Sequence, residues 1–256
     1  MSQEVIPKVI HYCWFGRNPL PQLALKCIES WKKFFPDYEI KEWTEDNFDV
    51  NIIPYTTEAY KAKKYAFVSD YARFWILYNY GGIYFDTDVE IIKSMDDIIA
   101  KGPFMGCEND ITEISTVFST DGIPKRGLGV NPGLGLGTPP GLGLYKELLD
   151  LYASTSFITK DGKLNLKTVV SYTTELLYRH GLKNTRDIQY VDGIYIYPKE
   201  YFNPWKNFAE LATTPNSRSI HHCAGSWASP WKRFHRRVRK MLGPKLWSIV
   251  KKTLKR

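Results

Sequence analysis

Cysteine is scarce: Cys13, Cys27, Cys107 and Cys223 are spread through 256 residues without a CxxC pair. That spacing excludes a zinc ribbon and a disulfide framework, and reduced thiols are the expected state. Long apolar runs are absent as well, and no stretch approaches the ~18 residues that span a bilayer. The opening MSQEVIPKVIHYCWFGR lacks the basic region and apolar run of a secretory signal. A cytoplasmic location is expected. No internal repeat occurs, and the glycine-rich stretch 127–144 contains neither GxGxxG nor GxxxxGK[ST], so neither glycine-loop phosphate motif is on offer there. Acidic residues are missing from Lys232 to the end, a stretch that holds eleven Lys or Arg; without them the net charge of +8 becomes −3 for the rest of the chain. The basicity therefore belongs to a tail.

What is present is a globular mixture, 43% hydrophobic and 15% aromatic, long enough for one domain with a sizeable core. Val5 to Trp14 reads as a buried strand. Leu23, Cys27, Ile28, Trp31, Phe34 and Phe35 recur at helical spacing until Pro36 ends the pattern. Tyr38 to Trp43 predicts a second strand, Lys61 to Tyr80 a helix stopped by Gly81-Gly82, and Ile83 to Phe85 a strand ending in Asp86-Thr87-Asp88. Further on, residues 127–144 hold seven glycines and three prolines and read as a loop near a ligand or a plain connection. Lys167 to His180 predicts another helix and Ile194 to Pro198 a short strand. Alternating helices and apolar strands predict an α/β fold whose mostly parallel central sheet has helices on both faces. Ligands in such sheets sit beyond the carboxyl ends of the strands.

The string FVSDYARFWILYNYGGIYFDTDVE, from Phe67 to Glu90, carries the chemistry. Asp86 and Asp88, one residue apart at a strand end, can converge on one divalent cation, and their hard oxygens suit Mn²⁺ or Mg²⁺. Asp70 and Arg73 lie three apart on the preceding helix and share a face. A carboxylate can accept from sugar hydroxyls, and a guanidinium offers a planar fork to phosphate or sugar oxygens. In SIHHCAGSW, from Ser219 to Trp227, the adjacent His221 and His222 would point to opposite sides of a strand, so only one can enter a site.

These strings resemble the DXD-containing sugar-binding family of glycosyltransferases, family 32, known from capsule and exopolysaccharide synthesis and from yeast and vertebrate members. They are similar also to the catalytic domains of the large clostridial glucosylating toxins. The IPKVIHYCWFG start shares the resemblance. It implies a GT-A type nucleotide-sugar-binding fold over residues 1–230, followed by a basic amphipathic helical tail over 231–256. It further implies that Trp14 stacks on the nucleotide base, that Asp70 and Arg73 hold donor sugar and ribose, and that Tyr84 packs beside them. Asp86 would bridge the donor to the metal and Asp88 would ligate it. From the HxxG pattern His222-Cys223-Ala224-Gly225, His222 is the expected histidine ligand, with His221 the alternative. Ser226 and Trp227 would touch the diphosphate, and Asn131 the donor, unless Asn131 only forms a turn before Pro132.

The implied reaction is retaining, metal-dependent transfer of a hexose or N-acetylhexosamine from a nucleotide sugar, with a UDP-sugar ahead of GDP-mannose. The implied acceptor is a glycan, in particular a lipid-linked capsular or exopolysaccharide intermediate. The tail can lie on anionic lipid, which places the protein at the inner face of a bacterial membrane with no specific nucleic acid as partner. A nucleic-acid- or membrane-binding protein without transferase activity and a nucleotide-sugar hydrolase are the competing readings.

Overall fold

The computed structural model describes residues 5–110, 117–118, 124–206 and 210–225. The chain opens with β1 (Val9–Cys13), α1 (Gln22–Phe34) and β2 (Glu39–Trp43), then α2 (Pro54–Lys61), α3 (Tyr65–Tyr80), β3 (Gly82–Tyr84) and β4 (Val89–Ile91). After α4 (Asp96–Ile99) and β5 (Phe104–Gly106) come β6 (Val117–Phe118), β7 (Pro124–Arg126), a 3-10 turn at Pro132–Leu134 and β8 (Leu136–Thr138). The remainder is α5 (Gly143–Ala153), α6 (Val169–Arg179), β9 (Gln189–Val191), β10 (Ile194–Tyr197), α7 (Lys199–Phe202), β11 (Trp205–Lys206), β12 (Glu210–Leu211) and β13 (Ser219–His221).

Seven strands form the central sheet in the order β2-β1-β3-β8-β5-β10-β9. Strands β2, β1, β3, β5 and β10 point one way, while β8 and β9 oppose them. The sheet is therefore mostly parallel, as expected. Residue parity along the strands divides two cores. Cys13, Tyr84, Met105, Ile194 and Ile196 join residues of α2, α3, α5 and α6 on one face. Their neighbours Ile10, Tyr12, Ile83, Phe104 and Tyr197 join Trp31 of α1 and Phe202 of α7 on the other. With side chains alternating across the sheet, these central strands must be mostly apolar, and they are, with His11 of β1 a buried polar exception.

Three details differ from the expectation. The helix foreseen over Lys61 to Tyr80 begins only at Tyr65 as α3; Lys61 closes the separate helix α2, and Lys63 adopts φ 55° between them. Strand β1 is shorter than the apolar run from Val5 to Trp14. The glycine-rich stretch is no mere loop: it contributes β8, a central strand. Gly137 fits there because Phe104 crowds it: a Cβ at Gly137 would lie 2.1 Å from that ring. Strand propensity is low for glycine, and close approach overrides it. The expected tail over 231–256 lies outside the described residues.

Candidate active site

The α3–β3 junction sets the position of the DxD. Helix α3 is buried almost all round, and Gly81 ends it at φ 64°, its N–H bonding to Leu77 O at 2.9 Å. Gly82 follows at φ 96°, where a Cβ would lie 2.6 Å from Val9 O. This junction turns the chain tightly into β3, so Asp70 and Arg73 on the helix come beside Asp86 at the strand's carboxyl end.

Arg73 joins the group. Its Nη2 lies 2.9 Å from Asp70 Oδ1 and its Nη1 3.3 Å from Asp86 Oδ1. Its guanidinium also covers the Tyr84 ring at 4.9 Å, and the Tyr84 hydroxyl donates to Asp86 Oδ1 at 3.3 Å. Burial pushes the Asp70 carboxyl up to about 7, with Asp86 adding to it and Arg73 and the Val169 N–H opposing. Asp86 is raised by burial too, against Arg73. Nη1 of Arg73 is buried without a hydrogen bond of good geometry, so this cation is not fully spent on its carboxylates.

Beyond Asp86 the chain turns into β4, and β13 pairs with β4 in antiparallel register, His221 opposite Val89. The pairing carries the late histidines to the DxD. His221 Nε2 lies 3.1 Å from Asp88 Oδ1, and Asp86, Asp88 and His221 each offer a ligand atom within 4.8 Å of the others. His222, the expected ligand, turns to the other side, 2.8 Å from Glu90 Oε2, with Lys26 of α1 2.9 Å from the same carboxylate. Alternation along an extended chain is the reason: one of two adjacent residues faces the DxD, and it is His221.

Asp88 is partly buried, and desolvation raises its carboxyl, but the His221 charge and hydrogen bonds from His221 and the Ala224 N–H hold it near 2. The Ala224 N–H donates to Oδ2 at 2.7 Å. His221 is correspondingly raised by Asp88 despite its burial. Two carboxylates and one imidazole, one carboxylate kept ionised, are a donor set that fits Mn²⁺ or Mg²⁺ with positions left for phosphate oxygens.

Trp14 stands half-buried at the carboxyl end of β1, next to β3, with Nε1 donating to Asn18 O at 2.6 Å. Asn131 is buried, and its side chain is engaged: Oδ1 accepts from the Gly133 N–H at 2.7 Å and Nδ2 donates to Glu108 Oε2 at 3.0 Å. The Asn131 oxygen thus caps the 3-10 turn, leaving one amide hydrogen for any ligand. Ser226 and Trp227 lie outside the described residues. Sequence reasoning passed over Glu90 and Glu108, since a single Glu after a short apolar segment forms no pattern.

A second triplet joins the exposed Glu147 and Asp192 to the half-buried His180. Both His180 ring nitrogens face carboxylates, at 3.1 and 3.4 Å, so these ion pairs account for it.

Residues 21–105 match the family described as the glycosyltransferase sugar-binding region containing DXD motif. That segment runs from α1 into β5 and holds Asp70, Arg73, Tyr84, Asp86 and Asp88; over this third of the chain it is similar to the sugar-binding region of glycosyltransferases. Inositol phosphoceramide mannosyltransferase 1 of Schizosaccharomyces pombe is 30% identical over 41% of this chain and 34% of its own length. The chain thus matches about a third of that relative's length. An uncharacterized glycosyltransferase of Acanthamoeba polyphaga mimivirus is 27% identical over 78% of this chain and 76% of its own. Among solved structures, the PaToxG glycosyltransferase aligns at TM-score 0.48 and 19% identity, covering 70% of this chain and 71% of that one.

Proposed function

We propose that the protein is a retaining, metal-dependent glycosyltransferase that moves a hexose or N-acetylhexosamine from a nucleotide sugar to a glycan or lipid-linked glycan. The observation that carries this reading is the convergence of Asp86, Asp88 and His221 within 4.8 Å, beside the buried Asp70–Arg73 pair. Asp88 and His221, with Asp86, would hold Mn²⁺ or Mg²⁺, which when bound supplies positive charge to a departing diphosphate. Arg73, held by two carboxylates and stacked on Tyr84, presents fixed positive charge toward the same leaving group. Asp70 is the acceptor for donor hydroxyls, and Trp14 the face for the base. Retention follows the family resemblance, and front-side attack is the form of it that needs no nucleophile from the protein.

For the donor, the sequence favours UDP. The fission-yeast relative's name joins mannose to inositol phosphoceramide, which makes GDP-mannose and a lipid-linked acceptor the paired alternative. The basic tail supports an anionic membrane surface as the place of work, at the cytoplasmic face.

The test is thermal stabilisation by UDP and by GDP, each with Mn²⁺ and with EDTA, for wild type and Asp88→Ala. At ligand a hundred times Kd, stabilisation is about 2.7 kcal/mol, or several degrees for a chain of this size. We expect a shift with one nucleotide that requires Mn²⁺ and vanishes in Asp88→Ala. No shift with either nucleotide in folded protein sinks the proposal. Release of free sugar alone, undiminished when glycan acceptors are supplied, makes the protein a hydrolase.

A further inference from the structure

Glu108 belongs to none of the groups given a role above, yet the fold fixes it firmly. It lies two residues beyond β5, on the sheet edge that carries the DxD, and only β8 separates β5 from β3. At ~4.8 Å between strands, that spacing is about 10 Å across the sheet. The Glu108 N–H donates to Gly129 O at 2.8 Å, and its carbonyl accepts from Asn203 Nδ2 at 2.8 Å. Its carboxylate Oε2 accepts from Asn131 Nδ2 at 3.0 Å. The Asn131 amide cannot be turned round, because its Oδ1 takes the Gly133 N–H. Gly133 in turn abuts the DxD: a Cβ there would lie 2.1 Å from Asp86 Oδ2.

A surface glutamate ordinarily ranges freely, and immobilising it costs rotamer entropy. Here one oxygen, Oε2, is fixed by an amide of determined orientation, and Oε1 is the oxygen outside that bond. Burial raises this carboxyl above its ordinary range, opposed by the Asn131 hydrogen bond and the charges of His221 and Lys199. A carboxylate so held beside a sugar site has the makings of a proton acceptor.

We propose that Glu108 is the catalytic carboxylate on the acceptor side, receiving the attacking hydroxyl at Oε1. As the acceptor oxygen bonds to the anomeric carbon, its proton passes to Oε1. The bond from the anomeric carbon to the diphosphate oxygen breaks, and the nucleoside diphosphate leaves with the electron pair. This assignment rests on the transferase reading above.

Water as acceptor needs the same proton removal, so donor hydrolysis reads Glu108 without a known glycan. Release of nucleoside diphosphate from GDP-mannose and from UDP-glucose, each with Mn²⁺, is measured for wild type, Glu108→Gln and Glu108→Ala. Gln keeps an oxygen for Asn131 and so preserves the fold around it. We expect Glu108→Gln to lower kcat by about a hundredfold or more, with KM and the nucleotide-induced thermal shift retained. A kcat within threefold of wild type overturns the assignment, as does loss of the thermal shift, which makes Glu108 a structural residue. Azide added to Glu108→Ala is a second check: a glycosyl azide product reveals a covalent nucleophile instead of a base, and its absence supports the base. An inactive wild type overturns the transferase reading and this role together; an active wild type beside a fully active Glu108→Gln overturns this role alone.

Discussion

His221 and His222 differ in nothing that composition reports, yet their neighbours give them different work. His221→Ala removes the imidazole from the Asp86–Asp88 group and is expected to abolish the Mn²⁺-dependent nucleotide shift. His222→Ala loosens only the Glu90 contact and is expected to retain most of it. Equal loss in both variants, measured by thermal scans with Mn²⁺, would reject this division. His11 shows the same dependence on surroundings. Trp43 Nε1 donates to its Nδ1 at 3.1 Å, so Nε2 carries the proton and donates to Gly81 O at 3.1 Å. Burial lowers its pKa to about 4, with Lys41 adding to this and the Gly81 carbonyl opposing. Below pH 6.5 the unfolded imidazole binds a proton that the native one refuses, so stability present above 6.5 is lost as pH falls through 4. Between pH 7 and pH 5 this amounts to about 2 kcal/mol. His11→Gln should flatten the fall in urea midpoint by that amount. Asp70, raised to about 7, acts in the opposite sense and cancels in the comparison. An unchanged pH slope in His11→Gln would contradict the buried neutral tautomer.

At the scale of elements, two glycine-dependent junctions build the site. Gly133 lets the 3-10 turn lie against Asp86, and the Asp86 N–H also donates to Gly133 O at 3.2 Å. Gly133→Ala must move the turn or the carboxylate. We expect nucleotide affinity with Mn²⁺ to fall more than tenfold, while stability drops by ~1–3 kcal/mol, the cost of overpacking. Calorimetric titration and urea melts separate the two effects, and wild-type affinity in the variant would show that Asp86 is not in the binding group. The other junction, Gly81-Gly82, could be read from sequence as a helix stop. That the same pair admits β3 against Val9 could not, since it requires the neighbouring strand.

For the whole molecule, the described body and the basic tail make separate predictions. Eleven cations from Lys232 onward, at about 1 kcal/mol each near an anionic surface, should bring the chain down with phosphatidylserine vesicles at low salt. A chain ending at residue 230 should stay in the supernatant while keeping its nucleotide shift. Equal sedimentation of both forms would remove the tail from membrane binding. Retention of the full chain on DNA at physiological salt, with none on vesicles, would favour the nucleic-acid reading instead.

Short-range information was enough for much of this. Helical spacing from Leu23 to Phe35, the apolar strands and the Gly-Gly stop are consequences of local sterics and burial period, and they predict an α/β sheet with carboxylates at a strand's carboxyl end. Asp70, Arg73, Tyr84, Asp86 and Asp88 lie within nineteen residues, so one helix–strand turn brings them together. Other matters depended on contacts between distant segments. Gly137 in the strand at Leu136–Thr138 is required because Phe104 leaves no room there for a side chain, and Glu108 is fixed by Asn131 and Asn203. His221, 133 residues beyond Asp88, reaches it through the β4–β13 register. Register is a property of two strands at once, and a one-residue slip exchanges the faces of both histidines; only the tertiary structure could decide which of them meets the DxD.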